Sequence, residues 1–133
     1  MRQGYVRRLG ESGVLGALGI LATLALWGSL PAEAHAVLVR STPAVKAVLT
    51  TAPDRVQLWF NENLEPAFAR VSVWSASGTQ VDLGDAAVTL DDPKLLTVRL
   101  GPLAPGSYTV KYRVLSVDGH VVEREFAFTL RAP

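Results

Sequence analysis

The chain has 133 residues, no cysteine and nearly balanced charges, with 13 Lys and Arg against 12 Asp and Glu. The lack of cysteine excludes disulfide bonds and thiol redox chemistry. The balanced charge gives no indication of a basic surface that would bind nucleic acid or anionic membranes. We therefore expect one small monomeric domain without a nucleic-acid partner.

The N-terminal residues 1–34 have the layout of a secretory signal peptide. Three arginines precede an apolar run over 14–30, and Ala32-Glu33-Ala34 matches the small-residue pattern before a cleavage site. We predict that the signal peptide is removed after Ala34. This leaves an exported, extracytoplasmic domain of residues 35–133.

Two alternatives for this segment stay open. The apolar run over 14–30 could remain as a membrane anchor, although it is shorter than the roughly 20 residues that a spanning helix usually needs. The overlapping pattern Ala34-His35-Ala36 could also direct cleavage after Ala36, which would remove His35 from the mature protein.

The rest of the chain consists of short segments in which apolar and polar residues alternate, the period of a strand with one buried face. Turns rich in Gly, Pro and Ser separate them, and no helical period is long enough to predict a helix. The predicted strands cover 36–40, 55–60, 70–75, 79–83, 94–100, 107–117 and 123–130, with a loop over 41–53.

About seven short strands in a domain of this size predict an all-β fold, an Ig-like Greek-key β-sandwich or barrel. The lack of cysteine excludes an antibody-type domain. We expect Trp59 and Trp74 to be core or half-buried packing residues. The predicted core comprises Leu58, Phe60, Val71, Val73, Val98, Tyr112, Val114, Phe126 and Phe128.

The only two histidines of the chain occupy positions that suit metal binding. Cleavage after Ala34 gives His35 a free α-amine beside its imidazole, and both groups lose their protons readily near neutral pH. Asp118 and His120 are two residues apart, and Gly119 between them allows a bulge or turn that directs both at one point. The alternatives are a surface turn for Asp118-Gly119-His120 and a frayed terminus for His35.

His35, Asp118 and His120 together supply three nitrogen donors and one oxygen donor, a set that suits a tetragonal Cu(II) ion. The only methionine is Met1, in the predicted signal peptide. The exported domain therefore lacks the thioether and thiolate groups that select Cu(I), and we predict a site for the oxidised ion.

Four segments resemble the CopC family of periplasmic copper-resistance proteins, and they follow the family's order over nearly all of residues 35–133. The segments are HAVLVRSTP (35–43), LWFNENLEPAFARVSVWSASG (58–78), PLAPGSYTVKYRVLSVDGH (102–120) and FAFTL (126–130). The resemblance implies a Greek-key β-barrel or sandwich that binds Cu(II) outside the cytoplasm. The implied ligands are the α-amine and imidazole of His35, the carboxylate of Asp118 and the imidazole of His120.

The resemblance further implies a copper-homeostasis protein that hands copper to a membrane transporter of the CopD type. A full set of four donors leaves no open position for catalysis, so we expect no enzymatic activity. Glu62 matches an acidic position near the family's site, either as an outer ligand or as a solvent-facing carboxylate, the interpretation we favour. The methionine-rich loop of some members is missing, and Val121 replaces the proline that usually follows the histidine.

Two other functions are compatible with parts of the sequence. An N-terminal histidine with a second histidine also resembles the copper centre of lytic polysaccharide monooxygenases. Asp118 separates the chain from those enzymes, whose copper is not normally bound by an aspartate. The other alternative is an Ig-like adhesion or structural domain that binds no metal.

Overall fold

A computed structural model describes residues 35–133, so the predicted signal peptide and the alternative anchor over 14–30 lie outside the described residues. Within the described part, no helix is long and apolar enough to cross a membrane.

Residues 35–133 form eight strands: β1 (Leu38–Thr42), β2 (Val48–Leu49), β3 (Arg55–Phe60), β4 (Arg70–Ser75), β5 (Ala87–Val88), β6 (Leu95–Arg99), β7 (Gly106–Leu115) and β8 (Val121–Leu130). They make two four-stranded sheets, in the orders β1-β3-β6-β5 and β2-β8-β7-β4. Neighbouring strands are antiparallel except for β2 and β8, which are parallel. The prediction of an all-β sandwich is confirmed.

The structure corrects the strand prediction where the sequence pattern is short. The predicted loop over 41–53 contains β2, and β5 was not predicted, because two residues are too few to show alternation. The predicted strand over 79–83 is not a continuous strand. Its amides bond in turn with different sheets, Val81 with β4 and Leu83 with β6, so the segment crosses between the two sheets.

The core lies between the two sheets and is built from the alternating inward residues of β3, β4, β6, β7 and β8. Every predicted core residue is buried except Phe126, which is half-buried. The rings of Phe60 on β3 and Tyr112 on β7 meet edge to face at 5.5 Å between centroids, which joins the two sheets. Trp59 and Trp74 are half-buried on the outer faces, as predicted.

The half-burial of Phe126 follows from the shortness of β2. Val48 and Leu49 pair with Thr129 and Leu130, at the end of β8 only. Among the described residues, no strand pairs with the β2 edge of β8 over its N-terminal part, from Val121 to Phe126. Phe126 therefore faces an open seam between the sheets.

We expect Leu58→Ala to lower the free energy of unfolding by about 2–5 kcal/mol, because the side chain is 0% exposed and its removal leaves a cavity in the core. The matched control is Leu90→Ala, at a fully exposed leucine, which should change stability by no more than about 0.5 kcal/mol. Urea unfolding of both variants measures the difference. Equal losses would contradict this assignment of the core.

Candidate metal centre

A tight turn joins β7 to β8 and carries two of the three predicted ligands. The amide of Gly119 donates to the carbonyl of Ser116 at 2.9 Å, and the amide of Ser116 donates to the carbonyl of His120 at 3.0 Å. Gly119 has φ +93°, a left-handed conformation that other residues rarely adopt. The turn, rather than a continuing strand, therefore brings Asp118 and His120 to one point.

The carboxylate of Asp118 is held from two sides. The hydroxyl of the fully buried Ser116 donates to Asp118 Oδ1, and the amide of His120 donates to the same oxygen at 3.2 Å. The Ser116 hydroxyl, and more weakly His120, keep the pKa of Asp118 below its ordinary value although partial desolvation opposes them. Asp118 is thus a fixed, negatively charged oxygen donor at neutral pH.

The imidazole of His120 contacts this carboxylate. Its Nδ1 lies 3.2 Å from Asp118 Oδ1, with the two side chains 43% and 29% exposed. The pair is not aligned for a hydrogen bond, and Nδ1 is buried without a hydrogen-bond partner among residues 35–133. Two donor atoms bound about 2 Å from one ion at right angles are about 3 Å apart, so the spacing fits two ligands of a shared metal.

The second histidine, His35, also contacts His120. The rings of His35 and His120 are 4.9 Å apart between centroids and inclined by 72°. Both His35 and Asp118 therefore contact His120. Within residues 35–133, however, no three or more His, Cys, Asp or Glu side chains lie close enough together to hold a metal ion. In the unprocessed chain the nitrogen of His35 is a peptide amide, so one predicted donor does not exist before cleavage.

Asn61 fixes the N-terminal segment in this position. The amide of Val37 donates to Asn61 Oδ1 at 2.7 Å, and the amide of Asn61 donates to the carbonyl of Val37 at 3.0 Å. Ala36 is inserted into the core and is 2% exposed. His35 is therefore held only two residues before a double hydrogen bond. Sequence reasoning missed Asn61, and its only signal was the FNENL segment that resembles the family.

The segment that follows β3 also holds the ligand-bearing turn. We call residues 61–65 the β3–β4 connector. The amide of Val117 donates to the carbonyl of Asn63 at 3.2 Å, and the amide of Glu65 donates to the carbonyl of Leu115 at 2.9 Å. Buried Leu64 forms a bridge with Ser116. The connector thus bonds to the N-terminal segment at one end and to the β7–β8 turn at the other.

Glu62 lies in the middle of this connector and is half-buried. It belongs to no metal-binding group of three or more side chains in residues 35–133. Both interpretations of Glu62, an outer ligand or a solvent-facing carboxylate, remain predictions.

A family model described as the CopC domain matches residues 38–131, which include Asp118 and His120. The chain belongs to the CopC family. It is 32% identical over 98 residues to "Copper transport protein CutJ" of Bacillus subtilis (strain 168), a match that covers 73% of this chain and 18% of that protein.

Two crystal structures share the fold. CopC from Methylosinus trichosporium OB3b is similar with a TM-score of 0.69 and 39% identity, over 74% of this chain and 95% of that one. PcoC from Escherichia coli, described as a methionine-rich copper resistance protein, is similar with a TM-score of 0.65 and 30% identity, over 74% of this chain and all of that one. The CopC-like chain is thus a member of a copper-resistance family, although its only methionine is Met1.

We expect Ser116→Ala to raise the pKa of Asp118 toward its ordinary value, because the substitution removes the hydroxyl that contributes most to lowering it. Carboxyl ¹³C chemical shifts followed against pH measure this change. The control is Ser107→Ala, at an exposed serine near the other end of β7, which should leave the titration of Asp118 unchanged. An unaltered titration in Ser116→Ala would contradict the assigned cause.

We expect Asn61→Ala to loosen the N-terminal segment, because it removes the acceptor of the Val37 amide. The amide of Val37 should exchange with solvent at least about tenfold faster, and the nuclear Overhauser contact between the His35 and His120 rings should weaken. Asn63→Ala is the matched control, since Asn63 contributes its backbone carbonyl to the turn. Equal effects of the two substitutions would contradict a specific role of the Asn61 side chain.

Proposed function

We propose that the processed chain begins at His35, binds Cu(II) outside the cytoplasm and carries it to a membrane copper transporter. The observation that supports this most is the meeting of the N-terminal segment and the β7–β8 turn at His120. Its ring lies 4.9 Å from that of His35, and its Nδ1 lies 3.2 Å from a carboxylate oxygen of Asp118. Two segments far apart in sequence thus present nitrogen and oxygen donors to one small region.

In this proposal three residues supply four donor groups to the ion. These are the α-amine and imidazole of His35, the carboxylate of Asp118 and the imidazole of His120. The amine and imidazoles bind without charge, whereas Asp118 offsets part of the charge of Cu(II). Nitrogen and oxygen donors favour Cu(II) over Cu(I). The described domain has neither cysteine nor methionine, so it lacks the sulfur donors that select Cu(I).

The proposed role is transport or buffering of copper, with no enzymatic activity. Four donors fill the positions that Cu(II) prefers in a plane, whereas catalytic metals usually keep one position open for a substrate. The match to a copper transport protein supports a transporter as the recipient. The matching segment makes up 18% of that longer protein, so a domain similar to this chain is one part of a copper transport protein there. We propose that the recipient is a transporter of the CopD type and that the protein serves copper homeostasis in the periplasm.

The proposal makes export a condition for binding. Residues 1–34 act as the signal peptide and residues 35–133 as the copper-binding domain. Before cleavage the nitrogen of His35 is an amide, a much weaker donor than a free amine at neutral pH. The precursor therefore binds Cu(II) only weakly, and the ion is bound after export.

The test is an intact mass of the exported protein, followed by Cu(II) titration. We expect a chain that begins at His35 and takes up one Cu(II), and whose N-α-acetylated form binds at least about tenfold more weakly, because acetylation removes the amine donor. The matched control is His35→Ala, in which acetylation should have a smaller effect because the chelating imidazole is already missing.

Three results would contradict the proposal. One is a mature chain that begins at Val37, and another is an acetylated chain that binds Cu(II) as tightly as the free amine. The third is oxygen consumption with ascorbate well above that of free copper, which would favour a monooxygenase instead.

A further inference from the structure

The N-terminal half of β8 is an unpaired sheet edge. β7 pairs with β8 along its whole length, whereas β2 covers the opposite side only at its C-terminal end. On that side the carbonyl of Ala127 accepts from Lys46, so odd-numbered residues of β8 direct their backbone groups outward. In the described part of the chain, no strand meets the N–H and C=O groups of Val121, Glu123 and Glu125.

This edge borders an open groove of about 620 Å³ in the seam between the two sheets. Its lining is largely apolar, and Val37, Val45 and Val121 in it are 54%, 51% and 51% exposed. His35 lines the same groove, and His120 immediately precedes β8. A chain segment bound along this edge would therefore lie beside the candidate metal centre.

The charges on the outer face of the edge select the partner. Glu123 is paired across the ladder with Arg113 of β7, and Glu125 with Lys111. An added strand that carries basic residues on this face would place them beside Glu123 and Glu125, on the side of β8 opposite Arg113 and Lys111. A second copy of this chain fits poorly, because antiparallel pairing of two such edges brings Glu123 and Glu125 close to their counterparts.

We propose that the β8 edge from Val121 to Glu125 binds an extended segment of a partner protein in which apolar residues alternate with Lys or Arg. The segment adds a strand to the sheet, with its backbone paired to β8. Its apolar side chains enter the groove, and its basic side chains lie beside Glu123 and Glu125. A role of this docking in copper transfer rests on the proposed function, whereas the docking itself does not.

The test uses the ¹⁵N-labelled, metal-free processed protein and the peptide acetyl-(Val-Lys)₄-amide. We expect the peptide to shift the amide resonances of Val121, Glu123 and Glu125 and to slow their exchange with solvent. Two control peptides should bind at least about tenfold more weakly. One has every backbone nitrogen methylated and cannot pair with a strand; the other is acetyl-(Val-Glu)₄-amide, which carries the opposite charge.

A matched pair of protein variants tests the charge contribution. Glu125→Gln should weaken binding by about two- to fivefold, a loss that disappears at high salt because the interaction lies at the surface. Asp91→Asn removes an equal charge from an exposed loop residue away from the groove, and binding should not change.

Several outcomes would overturn the proposal: equal binding of the methylated peptide, equal effects of the two variants, or shifts confined to other strands. Shifts at the edge on raising the protein concentration without peptide would identify a second copy as the occupant instead. Cu(II) titration of the unsubstituted processed protein, beside the peptide titration, separates the two proposals. Normal peptide docking without Cu(II) binding would contradict the proposed function alone, and the converse would contradict the docking site alone.

Discussion

The hydrogen-bond pair between Asn61 and Val37 is the constraint on which the candidate metal centre depends. It fixes the direction of the chain two residues after His35, and the burial of Ala36 holds the same segment from the other side. The connector that supplies Asn61 also bonds to the β7–β8 turn through Asn63 and Glu65. One short segment thus sets the relative positions of candidate donors that the sequence separates by more than 80 residues.

The turn contributes a second kind of constraint, which is electrostatic. Ser116 is fully buried, and its hydroxyl holds the carboxylate of Asp118 in place and lowers its pKa. A carboxylate oriented in advance needs little rearrangement to bind a cation. Gly119 makes this arrangement possible, because its positive φ lets the chain reverse while Asp118 and His120 remain on the same side.

Much of this structure could be predicted from the sequence because long alternating segments specify their own buried face. β3 and β4 have the predicted bounds, and of the predicted core residues Phe126 alone was assigned too much burial. Most of these errors share a cause: β2 and β5 are two-residue strands defined by their partners, and Phe126 is only half-buried because the short β2 does not cover it. At the site, residue types and spacing indicated His35, Asp118 and His120, whereas Asn61 and Ser116 act through contacts that no spacing rule reveals.

The two candidate histidines lie next to strands of different sheets. His35 precedes β1 of the first sheet, and His120 lies between β7 and β8 of the second. An ion bound by both would cross-link the two layers of the sandwich, as a disulfide does in many exported domains, in a chain that has no cysteine. Unlike a disulfide, this cross-link would, under the proposed function, be removed each time the ion is handed over. The loaded and empty protein would then differ in how tightly the two sheets are held together at that end. A recipient could distinguish the two forms by this difference in rigidity as well as by their charge.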